Sequence, residues 1–156
     1  MGAVAGLIGS VKAASGPINL VDNPSFTSAS ITGWTGSAVS RVTSKFKTTP
    51  AGLFVDNPDT NANATYTKTN ALTIGQAYSL SFWLGGVGNT QGAVITFYAG
   101  TASKTLTIPV RDDTTWTYYK IENVVCTGNT TLVIQFDQDY NWYLDDVSVI
   151  AGTTAL

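Results

Sequence analysis

The stretch that decides the fold is 131-TLVIQFDQDYNWYLDDVSVI-150. Leu132, Ile134 and Phe136 alternate with Val133, Gln135 and Asp137, the period-2 pattern of a half-buried strand. Asp139 and Asn141 then interrupt the run with turn chemistry. A second strand follows, and strict alternation puts Tyr143, Asp145, Val147 and Val149 on one face, with Leu144, Asp146, Ser148 and Ile150 on the other. Asp145 thus shares a face with two valines and is expected to point at the core. A buried carboxylate requires a cation or several hydrogen-bond donors. Those must come from a remote part of the chain.

Outward from this stretch the same signal recurs. Tyr78–Leu84 (YSLSFWL) alternates Tyr78, Leu80, Phe82 and Leu84 against Ser79, Ser81 and Trp83. Ala93–Tyr98 turns Ile95 and Phe97 inward and Val94, Thr96 and Tyr98 outward. Further strands are expected at 18–21, 38–47, 50–55, 64–69, 105–110 and 116–125, with turns at Asn23-Pro24, Asp56–Asp59, Gly85–Asn89, Arg111–Asp113 and Gly128-Asn129. Short strands every 8–12 residues with no helical period indicate a two-sheet antiparallel sandwich, and their number favours a jelly roll. Residues 1–17, rich in Gly and Ala and closed by Gly16-Pro17, form a separate extended arm. The domain spans 18–150, and 151–156 is a tail.

Composition narrows the class. The chain has 156 residues, 44% of them apolar and 12% charged, with a net charge of −2. That suits an extracellular or particle-exposed β domain whose surface is Ser, Thr and Asn. The absence of a basic block argues against nucleic acid as the main partner. There is no histidine, which removes the commonest general base and transition-metal ligand. The single cysteine, Cys126, reads as a buried thiol. No run approaches the length of a membrane span. The N-terminus lacks the basic-then-apolar order of a secretory signal, since Lys12 follows the apolar stretch.

Four pieces carry a family resemblance: Asn19–Phe26 (NLVDNPSF) with Gly33-Trp34, Tyr78–Trp83 (YSLSFW), Trp116–Tyr119 (WTYY) and Tyr143–Val149 (YLDDVSV). Together, over about residues 18–150, they resemble the jelly-roll carbohydrate-binding modules appended to xylanases and glucanases. The resemblance implies a structural calcium at N-terminal loop oxygens and the first Asp of the Asp-Asp pair, here Asp145. Asn23 and Thr27 would contribute oxygens, although Thr27 stands where the family has an acid. A second reading has Asp145 held by backbone N–H groups and by Asn19 or Asn23.

Sugar binding calls for aromatic faces with a few amide or acid groups. The candidates are Trp83, Tyr98, Gln135 and Trp142, while Trp34 and Trp116 read as plugs of the sandwich. For Trp83 the alternative is packing beneath the arm or a loop. Glycoside hydrolysis would need two carboxyls across a cleft; Asp137, Asp139, Asp145 and Asp146 cluster in sequence, but Asp145 reads as structural and Asp137 and Asp139 sit at a turn. The expectation is a non-enzymatic subunit of a virion-type assembly: a capsid decoration, fibre or tail appendage. It would be anchored, as a homo-oligomer, to other subunits through Val4, Leu7, Ile8 and Val11 of the arm. A host cell-surface glycan is its expected ligand. The alternatives are a free-standing glycan-binding module and a small hydrolase.

Overall fold

The computed structural model describes residues 16–36, 39–55, 64–86, 92–109, 114–138 and 141–156. The assembly arm, with Val4, Leu7, Ile8 and Val11, lies outside them. The strands are β1 (Trp34–Thr35), β2 (Val39–Val42), β3 (Gly52–Val55), β4 (Ala64–Lys68), β5 (Ala77–Gly85), β6 (Ala93–Ala99), β7 (Ala102–Ile108), β8 (Trp116–Val125), β9 (Leu132–Gln138) and β10 (Trp142–Ala151). They form two antiparallel five-stranded sheets, ordered β1-β4-β9-β6-β7 and β2-β3-β10-β5-β8. The two halves of the opening stretch are therefore the middle strand of each sheet. No helix among the described residues is long and apolar enough to cross a membrane.

The alternation explains the core. Leu80, Phe82, Ile95, Phe97, Leu132, Ile134, Phe136, Val147 and Val149 are all buried between the sheets, as expected. Phe136 of β9 meets Phe82 of β5 edge-on with ring centroids 5.4 Å apart, joining the two middle layers. Trp34 is buried against Phe26, Tyr66 and Phe136, a plug at one corner. Cys126 is buried, and its thiol faces the Asn129 carbonyl at 3.2 Å. Burial raises the thiol pKa, which keeps it protonated and unreactive.

Three local expectations change. The strand expected over 38–47 ends at Val42, and residues 45–48 leave it to run as a strap over the second sheet. β7 starts at Ala102 rather than Thr105. Residues 18–21 form no strand. Instead the Asn19 amide stands in for a ladder, donating to the Val147 carbonyl at 3.0 Å and accepting from the Val149 N–H at 2.9 Å. It fills the edge of β10 that β3, which pairs only with Trp142–Leu144, leaves open.

The main correction concerns the faces of β10. Its register against β5 shifts between Asp145 and Ser148, and Asp146 is left-handed at φ 48°. A bulge of this kind inserts one residue and reverses the alternation beyond it. Tyr143 and Asp145 therefore face away from the core, while Val147 and Val149 face into it.

Candidate functional site

Asp145 is fully buried although it lies on the outward face of its sheet, because the strap covers it. Its Oδ2 accepts the N–H groups of Lys47 and Thr48, each at 2.8 Å, and its Oδ1 accepts the N–H of Asp146 at 2.8 Å. Burial pushes the carboxyl pKa up to about 6, with the N–H donors pulling against it. Asp146 completes the staple: its Oδ1 accepts the Ser25 hydroxyl at 2.5 Å and its Oδ2 the Thr48 hydroxyl at 2.6 Å. The Asp-Asp pair thus ties the 23–27 turn and the 45–48 strap to the bulge.

These donors do not fit a divalent cation. Calcium takes six to eight oxygens with free lone pairs. Asn23 Oδ1 already accepts the Ser28 N–H and the Thr27 hydroxyl. The carbonyls of Phe26 and Thr27 accept Nε and a terminal nitrogen of Arg41, at 2.6 and 3.4 Å. Asn23 and Thr27 bond to each other while Asp145 is turned to the strap, and the described residues hold no cluster of three or more His, Cys, Asp or Glu side chains. The positive charge at the turn is the Arg41 guanidinium.

The four expected sugar contacts do not form one site. Trp142 is a correction: it is buried, opposite Val55 on β3, with its indole N–H enclosed. It sits two residues before Leu144 and shares its inward face, so it belongs to the core. Trp83 faces outward on the second sheet, opposite Asp145 and Tyr118. Tyr98 and Gln135 face outward on the first sheet, on the other side of the sandwich.

The first sheet's outward face is built by register. Tyr98 lies between Val133 on β9 and Ser103 on β7, and Gln135 between Thr65 on β4 and Thr96 on β6. Tyr98 and Gln135 are thus diagonal neighbours across paired strands, with Cα atoms roughly 7–8 Å apart. Asp137 continues the row, opposite Val94, and Gln135 Nε2 reaches its carboxylate at 3.4 Å. Thr96 and Thr105 hydroxyls meet at 3.1 Å. Asp137 and Thr96 extend the expected pair, and their alternation with buried Phe136 and Ile95 is the sequence signal that places them. The result is one half-buried aromatic ring bordered by an amide, a carboxylate and hydroxyls, all on rigid strands.

The other described carboxylates have structural partners. Asp22 pairs with Lys68 at 2.7 Å and accepts the Tyr66 hydroxyl, and the Lys68 bond lowers its pKa. Glu122 pairs with Lys120 at 2.9 Å. Asp137 is left without a second carboxyl facing it among the described residues.

No protein-family model matches the sequence, and no curated protein matches it. Solved structures share the fold. One is the enzymatically active domain of tailspike protein 4 from bacteriophage CBA120, with TM-score 0.67 and 18% identity over 86% of this chain. The chain spans 22% of that tailspike's length. Another is a family 61 carbohydrate-binding module solved with β-1,4-galactotriose, with TM-score 0.65 and 15% identity over 86% of this chain and 99% of that one. A third is the xylan-binding first family 22 module of Xyn10C from Paenibacillus barcinonensis, with TM-score 0.65 and 14% identity over 92% of this chain and 100% of that one. The fold is that of the carbohydrate-binding-module jelly roll.

Proposed function

We propose that this domain is a non-enzymatic glycan-binding module. The observation that carries the reading is the outward face of the first sheet, where Tyr98 offers a ring to stack on a pyranose and Gln135, Asp137 and Thr96 border it with hydrogen-bonding groups. Saccharide sites combine these elements: a flat apolar ring for the C–H face of the sugar, and fixed polar groups for its hydroxyls. Module neighbours whose structures hold galactotriose or bind xylan support the assignment. Affinity electrophoresis against galactan, xylan, mixed-linkage glucan and bacterial surface polysaccharides tests it. At least one polysaccharide retards the wild-type domain, and Tyr98→Ala with Gln135→Ala abolishes retardation without lowering the melting temperature. Retention by the double variant equal to wild type would overturn the assignment.

The module is further proposed to serve as the displayed part of a virion-type assembly, a tail appendage, fibre or decoration facing host glycans at the outer surface. The tailspike neighbour favours this over a free-standing secreted module. An apolar groove lined by Pro17, Ile18, Leu20, Ala71, Tyr78 and Ala151 lies beside the end of the proposed arm. Ile18 is 75% exposed there. The arm, residues 1–17 with Val4, Leu7, Ile8 and Val11, would join the domain to neighbouring copies or subunits.

A further inference from the structure

We propose that the outward face of the second sheet holds a second saccharide site, selective for sugars that carry a carboxylate, with Tyr118 and Trp83 as ring platforms and Lys47 as the cation. Phe54, Tyr143, Trp83 and Tyr118 stand on four adjacent strands, β3, β10, β5 and β8, and all face away from the core. Phe54 stacks on Tyr143 at 4.8 Å, and Trp83 meets Tyr118 at 5.5 Å. The row crosses roughly 14 Å at ~4.8 Å per strand. None of the four contributes to the hydrophobic core. On the first sheet the matching outward positions are mostly Thr, Ser and Val, so the row is not a requirement of the fold.

The strap divides the row. Over its first half, Lys45 lies 4.8 Å from the Tyr143 ring centroid and its ammonium is anchored on the Gly86 carbonyl. Over the second half, Lys47 holds its ammonium 4.3 Å from the Trp83 ring centroid, and no described carboxylate pairs with it. The nearby acids are committed: Asp145 to three N–H groups, Asp146 to two hydroxyls, and Glu122 to Lys120 and the Ala155 N–H. Tyr118 beside it is 37% exposed, and its hydroxyl donates to the main-chain oxygen of Leu156. An ammonium fixed over one ring, next to a second, partly exposed ring, matches a sugar whose ring stacks while its carboxylate pairs with the lysine. A neutral sugar leaves Lys47 unused. A nucleic acid would need a row of free cations along its phosphates, and among the described residues this face shows Lys47 alone without a carboxylate or carbonyl partner.

The experiment is affinity electrophoresis of the whole chain in polygalacturonate, alginate and hyaluronate, with methyl-esterified polygalacturonate as the neutral match and an oligothymidylate as the nucleic-acid control. At least one acidic polymer retards the protein, and esterification weakens retardation about tenfold. Lys47→Gln and Trp83→Ala each weaken it comparably, while Tyr118→Phe, which keeps the ring, retains it. Tyr98→Ala leaves it intact, which separates this site from the face proposed above. Melting temperatures are measured alongside, and Lys47→Gln, at an exposed side chain, is the variant expected to keep the fold unchanged. Failure of all three acidic polymers to retard the chain overturns the proposal. So do indifference to esterification or to Lys47→Gln, loss of binding in Tyr98→Ala, and stronger retention by the oligothymidylate.

Discussion

Replacing Asp145 with Ala strips the acceptor from three backbone N–H groups, two of them about a hundred residues away in sequence on the strap. Each buried donor left unmet costs ~1–3 kcal/mol, so the loss totals roughly 6 kcal/mol at the middle of that range. The deletion also removes a charge that was unfavourable to bury. The rise of its pKa from 3.8 to about 6 corresponds to roughly 3 kcal/mol at neutral pH, at ~1.4 kcal/mol per pH unit. The net expectation is a destabilisation of about 3 kcal/mol near pH 7. The sign of the pH dependence follows from the raised folded pKa. The folded state holds this proton more tightly than the unfolded chain, so the contribution is fully present below the unfolded value of 3.8 and lost as pH rises through about 6. Wild type therefore weakens between about pH 4 and about pH 7, whereas Asp145→Ala lacks that slope. Urea unfolding followed by tryptophan fluorescence at several pH values measures both effects. A variant as stable as wild type near neutrality, or a wild type that gains stability over this range, would refute the account of the staple.

Trp142→Ala should destabilise by ~3–5 kcal/mol, the scale for emptying a buried aromatic site, as measured by chemical denaturation; a stable variant with only a binding defect would place this ring at a surface after all. Chelator should leave the melting temperature unchanged, because Arg41 and backbone donors occupy the oxygens a calcium ion would need; a clear fall on adding chelator, restored by calcium, would show that those oxygens serve a metal instead. Deleting residues 2–16 should leave a folded jelly roll that no longer joins its assembly, checked by melting temperature together with sedimentation of the full and shortened chains. Unfolding of the shortened chain would instead make the arm part of the domain's own core.

Alternation in the sequence is sufficient for β5, β6 and β9, because each keeps its large apolar residues at every second position along an unbroken run facing the core. It fails on β10 for a physical reason: one left-handed residue, Asp146, inserts a bulge and swaps the faces of everything around it. Nothing in the residue pair Asp145-Asp146 announces that by itself. Asp145 is buried, but by the strap and not by the core face that alternation assigned to it, and its remote partners are backbone N–H groups of Lys47 and Thr48, which have no side-chain signature. Alternation also tells inward from outward without telling which sheet a strand joins. Trp83 and Tyr98 both face outward as their alternation requires, yet β5 and β6 lie in opposite sheets, so the rings face opposite sides of the sandwich. Trp142 follows a polar turn and reads in sequence as a turn side chain, whereas pairing with Val55 extends β10 back to it and fixes it inward.

The central claim, that the first sheet's outward face binds glycan, is tested most directly by NMR titration of the isotope-labelled chain with an uncharged oligosaccharide of a neutral polysaccharide that retards it. The account predicts amide shifts concentrated at Val94–Tyr98, Val133–Asp137 and Ser103–Thr107, three neighbouring strands of one face. Shifts confined elsewhere, or no shifts across the whole panel of sugars, would contradict it.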